Sequence, residues 1–262
     1  MTTIRFDQDG GIGSIVLANP PFNRIGSAFA IDFRDAVHRA SESNIRVLVV
    51  RAEGPNFSFG AAVEEWPGKD ANWFHTFIAE LNQSYRALEA LRVPTLAAVQ
   101  GLAQGGGFEL ALACDLIVAA ENAAFRNVEV TTAMLPIAGG MQRLADRIGR
   151  TRAARMAMFG DSISASDAFG LGFVSHLVST DHLRQEVDAL ARQMATGPTR
   201  AYAAMRAMLK AWSNGGVAAA DAAMLDLTMD LFSSKDATRG FAGTAKAIEE
   251  NVEPPALAFE GR

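Results

Sequence analysis

Residues Gly105-Gly106-Gly107-Phe108-Glu109 place bare main chain and an acidic side chain within one short stretch. Consecutive glycines permit unusual backbone dihedrals and let a ligand approach the main chain closely. The stretch lies between an apolar run that reads as a buried strand, Thr95 to Val99, and Phe108 to Cys114, which has helical composition. Amides at a helix start lack intrahelical partners and, with the helix dipole, can hold a negative oxygen. A tight strand-to-helix turn with no ligand accounts for the glycines equally well. Glu109, in the first helical turn, also has an ordinary role in complementing the dipole.

A second segment, Asn56-Phe57-Ser58-Phe59-Gly60-Ala61-Ala62-Val63, follows another strand-like run, Ile45 to Arg51. The small pair Ala61-Ala62 would leave a further amide unobstructed, whereas Phe57 and Phe59 suit a loop that plugs the core. Other chemistries find less support. A nucleophile elbow needs a serine between glycines, and the glycine triplet has none. The four histidines, His38, His75, His176 and His182, show no ligand-like pairing at helix-face spacing, so no metal is expected. Gly10-Gly11-Ile12-Gly13 lacks the later glycine of a nucleotide-binding fingerprint, and a hairpin turn explains it more simply.

The elements that must position these residues alternate. Ser14 to Leu17, Ile45 to Arg51, Thr95 to Val99 and Asp115 to Ala119 are apolar strand candidates, interleaved with helical periods, and this is an α/β pattern. Phe74, Phe77, Ile78, Leu81, Leu88 and Leu91 recur at helical spacing and stop at Pro94. Beyond Gly139-Gly140 helix formers dominate, apart from the apolar run Gly172 to Val178. Gly197-Pro198 is the boundary candidate, giving a core over residues 1–197 and a helical subdomain over 198–262. In the latter, Tyr202, Met205, Met208, Leu209 and Trp212 recur at helical spacing, as do Met224, Leu227, Leu231 and Phe232.

The chain has 262 residues, enough for one large core with an appended subdomain. Cys114 is its only cysteine, so no intrachain disulfide forms, and its apolar neighbours predict a buried thiol suited to a reducing cytoplasm. A net charge of -5 gives no electrostatic reason to expect nucleic acid. Neither a signal peptide nor a membrane span is expected, because no uncharged apolar stretch approaches about 18 residues.

Taken together, these segments resemble the crotonase, or enoyl-CoA hydratase/isomerase, family. Ile45 through Ala61 is similar to its strand and first loop, and Val93-Pro-Thr-Leu-Ala-Ala-Val-Gln-Gly-Leu-Ala-Gln-Gly-Gly-Gly-Phe-Glu-Leu-Ala-Leu-Ala-Cys-Asp115 to its signature. Ala124-Phe125, Glu129, Leu135-Pro136 and Gly139-Gly140-Met-Gln-Arg-Leu144 resemble the region of its second acidic residue. The likeness continues through Ala168, Gly170, Leu171 and Val174, and faintly to Phe232 through Phe241.

The resemblance implies a spiral of ββα units followed by helices that build a homotrimer or dimer of trimers. It implies a coenzyme A thioester as substrate, whose carbonyl is held by the amides of Ala61 and Gly106, with Glu109 and Glu129 as acid and base. No cofactor is implied beyond the coenzyme A of the substrate. Phe59, Ala62, Val63, Gly105 and Leu135 would surround that substrate. Two carboxylates suit hydration of a conjugated double bond, and burial with mutual repulsion should raise at least one of their pKa values. Ala62 stands where many relatives carry Asp and Phe59 where Ala is frequent, so a different acyl pocket is expected. Isomerases typically use one main carboxylate, and dienoyl isomerases an Asp near Ala138, which is absent. An enoyl-CoA isomerase, a hydratase of cyclic dienoyl thioesters, and a non-catalytic protein that binds coenzyme A esters remain alternatives.

Overall fold

The computed structural model describes residues 2–254 and 257–261. Strands β1 (Ile4–Asp9) and β2 (Ile12–Leu17) form an antiparallel hairpin, with Asp9 opposite Ile12 across Gly10-Gly11. The glycine-rich start is therefore a turn, as its short spacing predicts. Helix α1 (Ser27–Glu42) leads to β3 (Val47–Ala52), and helix α2 (Ala71–Glu89) leads to β4 (Thr95–Val99), each strand parallel to its predecessor. Val47 to Val50 and all of β4 are buried, as expected where helices cover a parallel sheet and leave no solvent face.

After β4 the chain makes the short strand β5 (Leu102–Gln104), helix α3 (Gly106–Leu112) and then β6 (Leu116–Ala120). The pattern repeats with β7 (Ala124–Arg126), helices α4 (Gly140–Ile148) and α5 (Arg150–Phe159), β8 (Ser162–Ser164), α6 (Ala165–Leu171) and β9 (His176–Val178). A six-stranded sheet runs β1-β2-β3-β4-β6-β9, and β5-β7-β8 form a second sheet. Strands β4 and β6 of the large sheet each hand on to a strand of the small one. The loop after β3 makes the same move, because Ser58 bridges Ala103 in β5. This ββα succession is the architecture that the resemblance implies.

The three-residue strands β5, β7 and β8 are too short to show a two-residue period, which is why the sequence does not display them. Asp115, read as the start of a strand, instead precedes β6. Its Oδ2 accepts from the amide and hydroxyl of Thr95 at 2.7 and 2.9 Å, tying the start of β6 to that of β4. Phe108 of α3, Phe125 of β7 and Phe173 are fully buried together, with ring centroids 5.3 to 5.6 Å apart. Cys114 is buried as well.

Contacts divide the chain into two units, Met1–Leu91 with Thr95–Ala191, and Arg92–Pro94 with Arg192–Arg262. Helix α7 (Leu183–Ala195) precedes α8 (Thr199–Phe232) and α9 (Lys235–Glu250). Within the second unit, α8 bends at Gly215 and Gly216, whose dihedrals are not helical. Arg200 pairs with Asp230 at 2.8 Å. The buried Asp236 carboxylate, in the first turn of α9, accepts from the amides of Glu260 and Gly261 at 2.8 and 2.7 Å. No described helix is long and apolar enough to cross a membrane.

Candidate active site

The loop after β3 uses nearly every amide it has. Phe57 N donates to Gln100 O, Ser58 N to Leu102 O, Phe59 N to Phe22 O, and Gly60 N to Ser58 Oγ. The bridge to Ile25 then takes Gly60 O and Ala62 N, stepping over Ala61. Among the described residues, the Ala61 amide therefore donates no hydrogen bond. The same holds at the next loop. Gln104 N donates to Ser58 O, Gly105 N to Arg126 O, and Glu109 N to Gly105 O, while Gly106, the first residue of α3, has no partner for its amide among the described residues. Buried main-chain donors are nearly always paired, so the amide of buried Gly106, left over beside that of half-buried Ala61, points to a ligand.

The loops touch at their glycines. Gly60 has φ +77°, and a Cβ there would meet Gln104 O at 2.6 Å and Gly105 Cα at 3.4 Å. Gly105, with φ +53°, turns the chain into α3. A side chain at Gly60 would push the main chains apart, and at Gly105 the positive φ disfavours one. The two unengaged amides therefore belong to the residues that directly follow the touching pair.

Both carboxylates reach this turn. A Cβ on Gly105 would lie 3.5 Å from Glu129 Oε1, and one on Gly106 would lie 4.0 Å from Glu109 Oε2. Glu109 is 1% exposed. Its Oε1 accepts from the amides of Ala138 and Gly140 at 2.8 and 2.7 Å. Burial raises its pKa to about 7 against the lowering effect of those amides and of Arg143, and the charge of Glu129 adds to the rise. Glu129 stands on the 3₁₀ turn Glu129–Thr132, and both its carboxylate oxygens are buried without a hydrogen-bond partner among the described residues. Burial, the larger influence, raises its pKa too. Its own amide and the side chain of Asn127 act the other way, although no well-formed hydrogen bond joins Asn127 to it. Asn127 is itself fully buried with both side-chain polar atoms unpartnered. The expected upward shift is present at both glutamates.

A cavity of about 150 Å³ opens at this turn. Ala61, Gly106, Glu109, Glu129, Phe59, Val63, Gly105 and Leu135 all line it. Ala62 does not. Its amide bonds to Ile25 O at 3.0 Å, and its Cβ faces Gly26, so the side chain is turned into the core. Phe59 packs edge-on against Phe22 at 4.9 Å, with the Arg24 guanidinium 5.7 and 5.8 Å from the two ring centres. Arg24 also donates to Ala61 O at 3.2 Å, so it braces the loop.

Sequence reasoning does not find the far wall. Trp66, Phe77, Leu81, Met134 and Ile137 line the cavity, making it largely apolar. Phe77 and Leu81 are visible only as members of an amphipathic period, in which a cavity wall and a core face look alike. Nor does it show that the Gly139-Gly140 turn supplies Glu109 with its amide donors. The one signal is the glycine pair at the start of α4, Gly139 at its cap and Gly140 in its first turn.

Solved structures share this architecture. A crystal structure of an enoyl-CoA hydratase subunit from Geobacillus kaustophilus aligns with TM-score 0.89 at 31% identity, covering 99% of this chain and 98% of that one. Among curated proteins, a Mycobacterium bovis protein named as a probable enoyl-CoA hydratase is 33% identical over 191 residues, 72% of this chain and 74% of its own length. The 2,3-dehydroadipyl-CoA hydratase of Escherichia coli is 37% identical over 174 residues, 64% of this chain and 66% of its own. The fold is thus that of the crotonases. The sequence model of the Enoyl-CoA hydratase/isomerase family matches residues 7–251, and the chain belongs to that family.

Proposed function

We propose that this protein is an enoyl-CoA hydratase, adding water across the α,β double bond of an enoyl thioester. One observation carries the reading: two unengaged amides, Ala61 and Gly106, follow touching glycines, with two buried carboxylates at the same turn. Attack on the β-carbon makes the thioester oxygen enolate-like. Fixed donors aimed at that oxygen stabilise the transition state more than the ground state. One glutamate, ionised, accepts a proton from water as it attacks, and the other delivers a proton to the α-carbon. A carboxyl group titrating near neutrality can serve in either protonation state at physiological pH.

The pair of acids favours hydration over double-bond migration, for which one suffices. The apolar wall of Trp66, Phe77, Leu81 and Ile137, with Phe59 also lining the cavity, suits a hydrocarbon acyl group. The reading requires no cofactor other than the coenzyme A of the substrate. It includes assembly as a trimer or dimer of trimers, supported by apolar side chains that α8 leaves exposed, among them Leu209, Trp212 and Leu225. Sedimentation of the purified protein checks that part.

The deciding experiment follows the loss of conjugated-thioester absorbance with crotonyl-CoA and with longer and cyclic enoyl thioesters. Glu109→Gln and Glu129→Gln should each lower turnover by about two orders of magnitude or more and leave thioester binding largely intact. Tight binding with no turnover of any member of the series would instead identify a binding protein. Wild-type rates in both variants would remove the glutamates from the mechanism.

A further inference from the structure

Helix α2 carries three polar side chains, Asn82, Tyr85 and Glu89, at spacings of three and four residues and hence on one face. Each reaches one of the turns that build the site. Asn82 Nδ2 donates to Ile137 O at 2.6 Å, and the fully buried Tyr85 donates its hydroxyl to Gly106 O at 3.0 Å. Glu89 accepts two bonds of 2.7 Å from Nε and Nη2 of Arg143 on α4. The third nitrogen of that guanidinium, Nη1, donates to the carbonyls of Ala138 and Gly139 at 2.9 and 3.1 Å. These carbonyls belong to the turn whose Ala138 and Gly140 amides converge on Glu109 Oε1. A Cβ on Gly140 would stand 2.7 Å from Glu109 Cγ, so turn and carboxyl group are in contact with no slack.

A link that only joined α2 to α4 would need the two bonds to Glu89 and nothing more. Here the fork is divided, with one edge on a carboxylate and the remaining nitrogen on two successive carbonyls. Lysine cannot reproduce this, since its ammonium offers a point charge without a planar fork. We propose that Arg143, held by Glu89, is a positioning residue for Glu109. It fixes the 138–140 turn so that two amides grip one carboxylate oxygen and the other stays directed toward Gly106.

The groups facing Glu109 are Glu129 from the 3₁₀ turn, Tyr85 from α2 and Arg143 from α4. Only the last is altered in the test. Amides that grip a carboxylate favour its ionised form, as does a nearby cation. Arg143→Lys keeps the charge but releases the turn, so the Glu109 titration should move to higher pH. The effect on catalysis rests on the hydratase reading, whereas the titration does not.

The experiment labels glutamate side chains with ¹³C at the carboxyl carbon and titrates the full-length protein by NMR, with Glu109→Gln identifying the Glu109 resonance. In Arg143→Lys its midpoint should rise by about half a unit or more. With enoyl thioesters, kcat should fall about tenfold or more and KM change by less than about threefold. An unmoved midpoint in folded Arg143→Lys overturns the proposal, and so does a parallel change of kcat and KM with the midpoint unmoved. Should Arg143→Lys fail to fold, Glu89→Gln at the partly exposed end of the pair loosens the guanidinium. Hydrogen exchange at the Ala138 and Gly140 amides should then accelerate about tenfold, with the large sheet unaffected, and unchanged exchange overturns the proposal. If the wild-type protein turns over no enoyl thioester, the hydratase reading fails, and the carboxyl titration still decides this one.

Discussion

At the scale of single residues, Glu109 is held between opposing influences. Its position in the core disfavours charge, and the amides of Ala138 and Gly140 favour it. Burial prevails, taking the pKa from 4.5 to about 7. An acid whose folded pKa exceeds its unfolded one binds more protons in the folded state between those two values, so stability falls as pH rises through that window. At about 1.4 kcal/mol per unit, the loss approaches about 3 kcal/mol above pH 7. Glutamine keeps an oxygen for the two amides and cannot ionise. Glu109→Gln should therefore match the wild type in urea unfolding near pH 4 and exceed it at pH 8 by up to about 3 kcal/mol. An equal difference at both pH values would contradict a buried acid. Glu129, raised in the same direction, contributes with the same sign.

At the scale of elements, the first turn of α3 and the face of α2 carry the site. Gly106 is the first residue of α3, a position where proline is well tolerated because its nitrogen has no helical partner. Gly106→Pro should thus retain the helix while deleting one amide donor. Turnover should fall by about 10² to 10³, the cost of losing one donor at an oxyanion site, with the circular dichroism spectrum retained. Full activity in that variant would exclude the amide from the chemistry. Helix α2 begins at Asp70, whose side chain accepts from Trp73 N at 2.8 Å. Asp70→Ala should cost about 1 kcal/mol of unfolding free energy, measured by denaturant titration.

At the scale of the molecule, the small sheet of the first unit packs on α3 through aromatic rings. Phe125, on the middle strand of the small sheet, packs on Phe108 of α3 and on Phe173. Phe125→Ala should lower stability by about 3 to 5 kcal/mol, because the rings around it cannot collapse onto the space left. Glu109 lies one residue from Phe108, so turnover measured below the melting temperature should fall as well. A thermal midpoint within a degree of the wild type would show that this cluster is not what holds the small sheet against α3.

The sequence by itself determined the strands with strong apolar runs, the amphipathic α2, the buried Cys114 and the two loops bearing Ala61 and Gly106. Each is written in local composition and spacing, and the family motifs add Glu109 and Glu129. Only the tertiary structure decided the rest, because those facts depend on residues distant in the chain. Ala62 turns inward because Ile25 pairs with its amide. The pKa of Glu109 is pushed up to about 7 because folding buries its carboxyl group, and the amides of Ala138 and Gly140 offset only part of that rise. Phe77 and Leu81 become cavity wall because the fold brings Met134 and Ile137, distant in the chain, to the same cavity. A periodic pattern records which side of a helix avoids water, and it carries no information on whether that side meets packed protein or an open pocket.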